Sequence, residues 1–160
     1  MNADEILKNF NQNRVAYLLI GGMNYLLRHK PVLTFDVDIW IDDTKINRGR
    51  CERALAALNA EWGPSETTWG PVSRLAPGWL ARQSVFCLTT PHGAIDIFRK
   101  VNDPDNWRAA CQEGMSMITS SGIKCRGLCD KDMLRCQLAL KREDRKPDRI
   151  RELKRILRHK

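Results

Sequence analysis

No apolar run in the chain approaches the length needed to cross a bilayer. Its opening residues, MNADEILKNF, carry two acids where a secretion signal would have a basic start and an apolar block. Both features point to a cytoplasmic protein with no membrane partner. Internal repeats, low-complexity tracts and linker-like stretches are also missing. The 160 residues are therefore expected to form one domain, with a core over about 15–128 and basic helices over about 129–160. Histidine is scarce, and none of His29, His92 and His159 lies near the cluster CRGLCDKDMLRC, whose cysteine spacing fits no zinc site. Without a secretory signal the six cysteines are expected to be reduced, serving as small buried hydrophobes. Aromatic residues make up 7% and concentrate only in 62–79, so a simple RNA-binding domain lacks the aromatic sheet platform it needs.

What is present alternates between helical and strand periodicities. Asn2 and Glu5 resemble a capping box before the stripe Ile6, Leu7 and Phe10, and VAYLLI (15–20) reads as a buried strand stopped by Gly21-Gly22. MNYLLRHK (23–30) is a short helix that Pro31 ends. Residues 45–60 form a helix with Cys51, Ala54, Leu55 and Leu58 on one stripe. Residues 62–79 are rich in Gly, Pro and Trp without period, and read as a long surface loop. SVFCLTT and AIDIF, joined by Pro91-His92-Gly93, make a hairpin. Pro104 sits where a helix's first turn accepts it, behind Asn102 or Asp103 as cap. A strand segment broken at Gly122 follows, and two amphipathic helices close the chain as a hairpin. The fold class is α/β (α+β), a mixed sheet flanked by helices with a C-terminal helical hairpin.

The stretch TFDVDIWID (34–42) is the chemically informative one. A period of two puts Phe35, Val37, Ile39 and Ile41 on one face and Asp36, Asp38 and Trp40 on the other. An antiparallel strand with a wet outer face would also show this pattern. The surroundings speak for chemistry, because Gly21-Gly22 precede the strand and the later hairpin adds Asp96, so three carboxylates can gather at the edge of one sheet. Like charges that close weaken a fold unless a cation joins them. Hard oxygen ligands suit Mg2+ or Mn2+, which complete their shells with water and substrate phosphates. Glycines at a helix start let backbone N–H groups approach those phosphates.

IGGMNYLLRHKPVLTFDVDIW followed by GAIDIF resembles the DNA-polymerase-β-like nucleotidyltransferase superfamily. Its closing segment, GIKCRGLCDKDMLRCQLALKREDRKPDRIREL, is similar to that of small bacterial members, the antibiotic-modifying and toxin types. The resemblance implies a Mg2+-dependent transfer of a nucleoside monophosphate from an NTP to a hydroxyl, releasing pyrophosphate by a two-metal mechanism. It makes Asp36, Asp38 and Asp96 the metal ligands, and Asp96 also the group that draws the acceptor proton. It places Gly21, Gly22 and Thr34 at the nucleotide. Two positions depart from the family. Val32 stands where relatives often carry Arg, so Arg28 or Lys30 is left to supply charge, and Gln137 stands where they often carry Lys, which leaves Lys141 for the triphosphate.

Three acceptors fit this reading: an RNA end such as tRNA, a protein side chain, or a small molecule. The alternative is a catalytically degenerate nucleotidyltransferase-fold module that binds or regulates, with an antitoxin-like protein as a possible partner. Residues 141–160 hold ten Lys/Arg against four Asp/Glu, six of the net +8. Arg149, Arg151, Arg155 and Arg158 read as a surface set apart from the aspartates, available to RNA phosphates.

Overall fold

The computed structural model describes residues 1–159. The first half runs α1 (Ala3–Gln12), β1 (Tyr17–Leu19), α2 (Gly21–Arg28), β2 (Asp36–Ile41), α3 (Lys45–Ala57), β3 (Glu61–Trp62) and β4 (Gly70–Pro71). The second runs β5 (Val85–Thr90), β6 (Gly93–Phe98), α4 (Trp107–Glu113), β7 (Met115–Ile118), β8 (Lys124–Gly127), α5 (Asp130–Ala139) and α6 (Pro147–Arg158). All strands join one eight-stranded sheet in the order β4-β3-β5-β6-β2-β1-β8-β7. The pairs β2–β6 and β1–β8 are parallel and the other pairs antiparallel, giving the expected mixed α/β sheet flanked by helices.

Strand β2 is covered on both faces along its second half, so its outer face is not wet along its whole length. Val37, Ile39 and Ile41 enter one apolar cluster with α1 and α3, while Trp40 enters a second with Ala110 of α4, Met133 of α5 and Leu153 of α6. Burial on two faces is what a strand with a parallel neighbour needs. Only the N-terminal half of that second face, bearing Asp36 and Asp38, stays half-open. The closing helical hairpin therefore packs on the same sheet that carries the aspartates. No described helix is long and apolar enough to cross a membrane.

Four sequence expectations change. Phe35 does not join Val37 in the core, because β2 starts only at Asp36, and its ring is 75% exposed. Residues 62–79 stay largely on the surface, as expected, but are not structureless. They add β3, β4 and short 3-10 turns, and bury Trp79 in a cluster with Trp62 and Phe86, at ring distances of 6.1 and 5.1 Å. The helix expected behind Pro104 begins instead at Trp107, capped by the Asn106 side chain accepting from the Ala109 N–H, and Asp103 pairs with Arg135. Finally, cysteine burial is uneven: Cys51 and Cys125 are buried, whereas Cys87 is exposed.

Candidate functional site

Helix α2 starts at Gly21, two residues earlier than expected, so both glycines form its first turn. Gly21 has φ +64°, a left-handed conformation that glycine adopts without penalty. A Cβ there would lie 1.9 Å from Asp38 Oδ2, and one on Gly22 would lie 2.8 Å from Thr34 Oγ1. The two glycines are thus cut to fit the carboxylate wall. The Gly22 N–H donates to Asp38, and the Thr34 hydroxyl donates to the Asp36 carbonyl at 3.1 Å and more weakly to its Oδ1 at 3.4 Å.

The parallel register of β2 and β6 sets Asp38 directly beside Asp96. One oxygen each from Asp36, Asp38 and Asp96 lies within 4.8 Å of the others. They meet in the middle of the sheet rather than at its edge, since β6 and β2 are its fourth and fifth strands. Burial, then the charges of Asp36 and Asp96, push the Asp38 carboxyl up to about 7. Asp96 is also raised, by burial first and then by Asp36, while a hydrogen bond from the Cys87 thiol works the other way. Cys87 faces Asp96 across the β5–β6 ladder, and burial followed by the Asp96 charge pushes its thiol up to about 11. Three all-oxygen donors whose charges oppose one another suit a hard divalent cation such as Mg2+ or Mn2+.

Gly21→Ala is expected to displace the Asp38 carboxylate and weaken Mn2+ affinity by about tenfold or more, the usual cost of disturbing a ligand's support. Gly49→Ala is the control, for its Cβ meets only Arg53 Nη1 at 3.8 Å inside α3. It should leave Mn2+ titration unchanged and stabilise the helix by about 0.5–1 kcal/mol. Equal Mn2+ affinity in the parent and Gly21→Ala would show that Asp38 is not a ligand.

A cavity of about 570 Å3 opens over Asp36 and Asp38, with Lys100, Lys146 and Arg149 among its lining. Arg149, read from sequence as part of a surface set, is in this cavity instead. Its guanidinium carbon sits 5.1 Å from the Tyr25 ring centroid, and it faces Asp38. Its buried Nε has no partner among the described residues. Burial lowers its proton affinity and the Asp38 charge raises it. Arg151 and Arg155 do stay outside, in pairs with Asp148 and Glu152.

Lys141 does not line the cavity, and neither do Arg28 and Lys30. Arg28 is held 2.9 Å from Asp130 and donates to the Leu128 carbonyl at 2.7 Å, turned to the hairpin rather than to the acids. Gln137 explains the replacement: its Oε1 accepts from the Lys146 N–H at 2.9 Å, which fixes the entry into α6 so that Lys146 and Arg149 reach the cavity. Sequence reasoning missed both cations. The only signal was indirect, the Gln at 137, because nothing in PDRIREL marks Arg149 as different from its neighbours.

No protein-family profile and no curated protein sequence matches the chain. Among solved structures the fold is similar to a Thermotoga maritima protein provisionally assigned as a nucleotidyltransferase, at 15% identity and a TM-score of 0.55, over 97% of this chain and 89% of that one. A likeness at that identity is one of fold, and the fold here is nucleotidyltransferase-like.

Proposed function

We propose that the protein transfers a nucleoside monophosphate from an NTP to a hydroxyl group and releases pyrophosphate. The observation that carries this reading is the convergence of Asp36, Asp38 and Asp96 from two parallel strands, beside a glycine helix start, with Asp36 and Asp38 lining a cavity that Lys146 and Arg149 also line. The acceptor oxygen bonds to the α-phosphorus as the bond from that phosphorus to the bridging oxygen of the β-phosphate breaks. Asp96 takes the acceptor proton, and burial, which raises its proton affinity, favours that step. Held by the three aspartates, Mg2+ or Mn2+ would supply charge stabilisation at the attacking and leaving oxygens.

The chain's own groups supply the rest. The Gly22 N–H at the start of α2 holds Asp38, and the helix end favours the charge of incoming phosphates. Lys146 and Arg149 offset the negative charge that builds on departing pyrophosphate, the task expected of Lys141 from sequence. The lost family cations would otherwise favour a degenerate module, but α6 replaces them.

Each α-labelled NTP should be offered with Mg2+ to total cellular RNA, to total protein and to buffer alone. Label should move to one fraction and stop moving in excess EDTA. Undiminished transfer in saturating EDTA would end the metal reading. NTP binding with no transfer and no hydrolysis in any fraction would favour the regulatory module.

A further inference from the structure

We propose that the free edge of β7 receives an extended, acidic segment of a partner protein as an added strand, with its carboxylates on Lys124 and Arg126. This surface shares no lining residue with the aspartate cavity.

The two ends of the sheet are finished differently. At one end β4 is only two residues long and carries Pro71, features that keep an edge from pairing. At the other end β7 reads MSMI, without charge or proline, and leaves Met115 and Ile118 43% and 65% exposed. Its backbone has groups to offer. The Thr119 N–H donates to the Ile123 carbonyl at 2.9 Å, so by alternation Met117, opposite Cys125, also bonds inward to β8. The N–H and C=O groups of Ser116 and Ile118 then point away from β8. Both residues are exposed, and among the described residues no backbone bond outside the sheet takes up those groups.

The side chains above that edge carry unanswered charge. Ser116 and Ile118 share a face with their cross-strand partners Arg126 and Lys124, and with Trp107 and Cys111 of α4 they line a groove of about 1120 Å3. Arg126 reaches over Ser116 to the edge itself, its Nη1 donating to the Ser116 hydroxyl at 3.2 Å. Neither Arg126 nor Lys124 forms an ion pair among the described residues. Of the acids nearby, Asp4 is engaged by the Thr119 and Ser121 hydroxyls, and Glu113 stands at the end of α4. A carboxylate opposite Ser116 on an added strand would meet the Arg126 guanidinium, and one two residues along would reach toward Lys124.

Charge selects the occupant. A second copy of this chain carries a net +8 and would bring its own Arg126 and Lys124 to the same edge. An RNA strand would answer the cations but leave unused the outward N–H and C=O groups, which match a peptide backbone. An acidic strand answers both, its main chain supplying affinity and its alternate side chains selectivity.

The test uses the full chain and two short labelled peptides, one of alternating Glu and Val and one of alternating Lys and Val. Binding is read by fluorescence anisotropy, and amide exchange is followed by NMR. The acidic peptide should bind about tenfold or more tightly than the basic one, and should slow exchange at the Ser116 and Ile118 amides more than at Met117, which the ladder already holds. Ser116→Pro removes only an outward N–H and should abolish this binding. Lys124→Glu, a change at an exposed side chain, should weaken it by about fivefold or more. Equal affinity for the two peptides would overturn the proposal, as would acidic-peptide binding that leaves Ser116 and Ile118 unprotected. Displacement by single-stranded RNA, with those two amides unprotected, would make the groove a nucleic-acid face. A parent dimer that becomes monomeric in Ser116→Pro would give the edge to a second copy, and the acidic partner falls.

Discussion

Asp38→Asn is expected to cut nucleotidyl transfer by about 10²–10³-fold or more while making the protein more stable at pH 8, measured in EDTA. The two effects have one cause. In the folded chain burial and the charges of Asp36 and Asp96 lift the Asp38 carboxyl from its ordinary value of 3.8 to about 7. Between those two values the folded state keeps a proton that the unfolded state has lost, so stability falls as pH rises through the window and the full penalty is present above pH 7. Each unit corresponds to about 1.4 kcal/mol, which sets a ceiling of about 4 kcal/mol, and solvent reaching the cavity reduces this to about 2 kcal/mol. Asparagine carries no charge at any pH and escapes the penalty. The melting temperature should therefore rise by about 4–8 °C at pH 8 and by much less at pH 5, where Asp38 is already protonated. Adding Mg2+ should raise the melting temperature of the parent but not of the variant. An equal gain at both pH values would remove charge repulsion as the cause, and a loss at both would make Asp38 structural.

The elements that carry the aspartates were legible because their physics is local. Alternation along 36–41 and the hairpin turn at 91–93 each need only neighbouring residues, and both are found, as are the Asn2 cap and the closing helix pair. What stayed hidden depended on distant partners. Phe35 continues the alternation of Val37 and Ile39, yet the sheet partner that would bury it is missing, since the β2–β6 ladder begins at the Asp36–Ala94 pair. Trp62 and Trp79 look like loop residues until Phe86, on a strand beyond the segment, gives them a surface to pack on. Arg149 is the costliest omission, because an Arg on an amphipathic helix reads as solvated unless the docking of that helix is known. Leu153 in the second core cluster and Gln137 at the helix entry decide that docking, and neither signals it alone.

Arg149→Ala is expected to weaken NTP affinity by about 10- to 100-fold, the scale of losing one partly buried charged hydrogen-bonding group. The joint replacement of Arg151, Arg155 and Arg158 by Ala should leave NTP affinity unchanged, although it removes three times the charge. Burial separates the two cases. Arg151 and Arg155 are exposed and paired with acids on their own helix, so solvent screens what remains of their field. Arg149 is held against the Tyr25 ring, facing Asp38, with its Nε unpartnered among the described residues. A phosphate oxygen offers that nitrogen the acceptor it lacks. Arg149 also holds Asp38 nearer its ordinary proton affinity, so its loss should shift Mg2+ binding to higher pH, because protons compete longer for the carboxylate. Arg149→Lys should recover part of the NTP affinity, since a lysine keeps the charge but not the planar fork. An intact Arg149→Ala variant that binds NTP as the parent does, with an unshifted Mg2+ profile, would show that this guanidinium only covers Tyr25 and that α6 contributes packing alone.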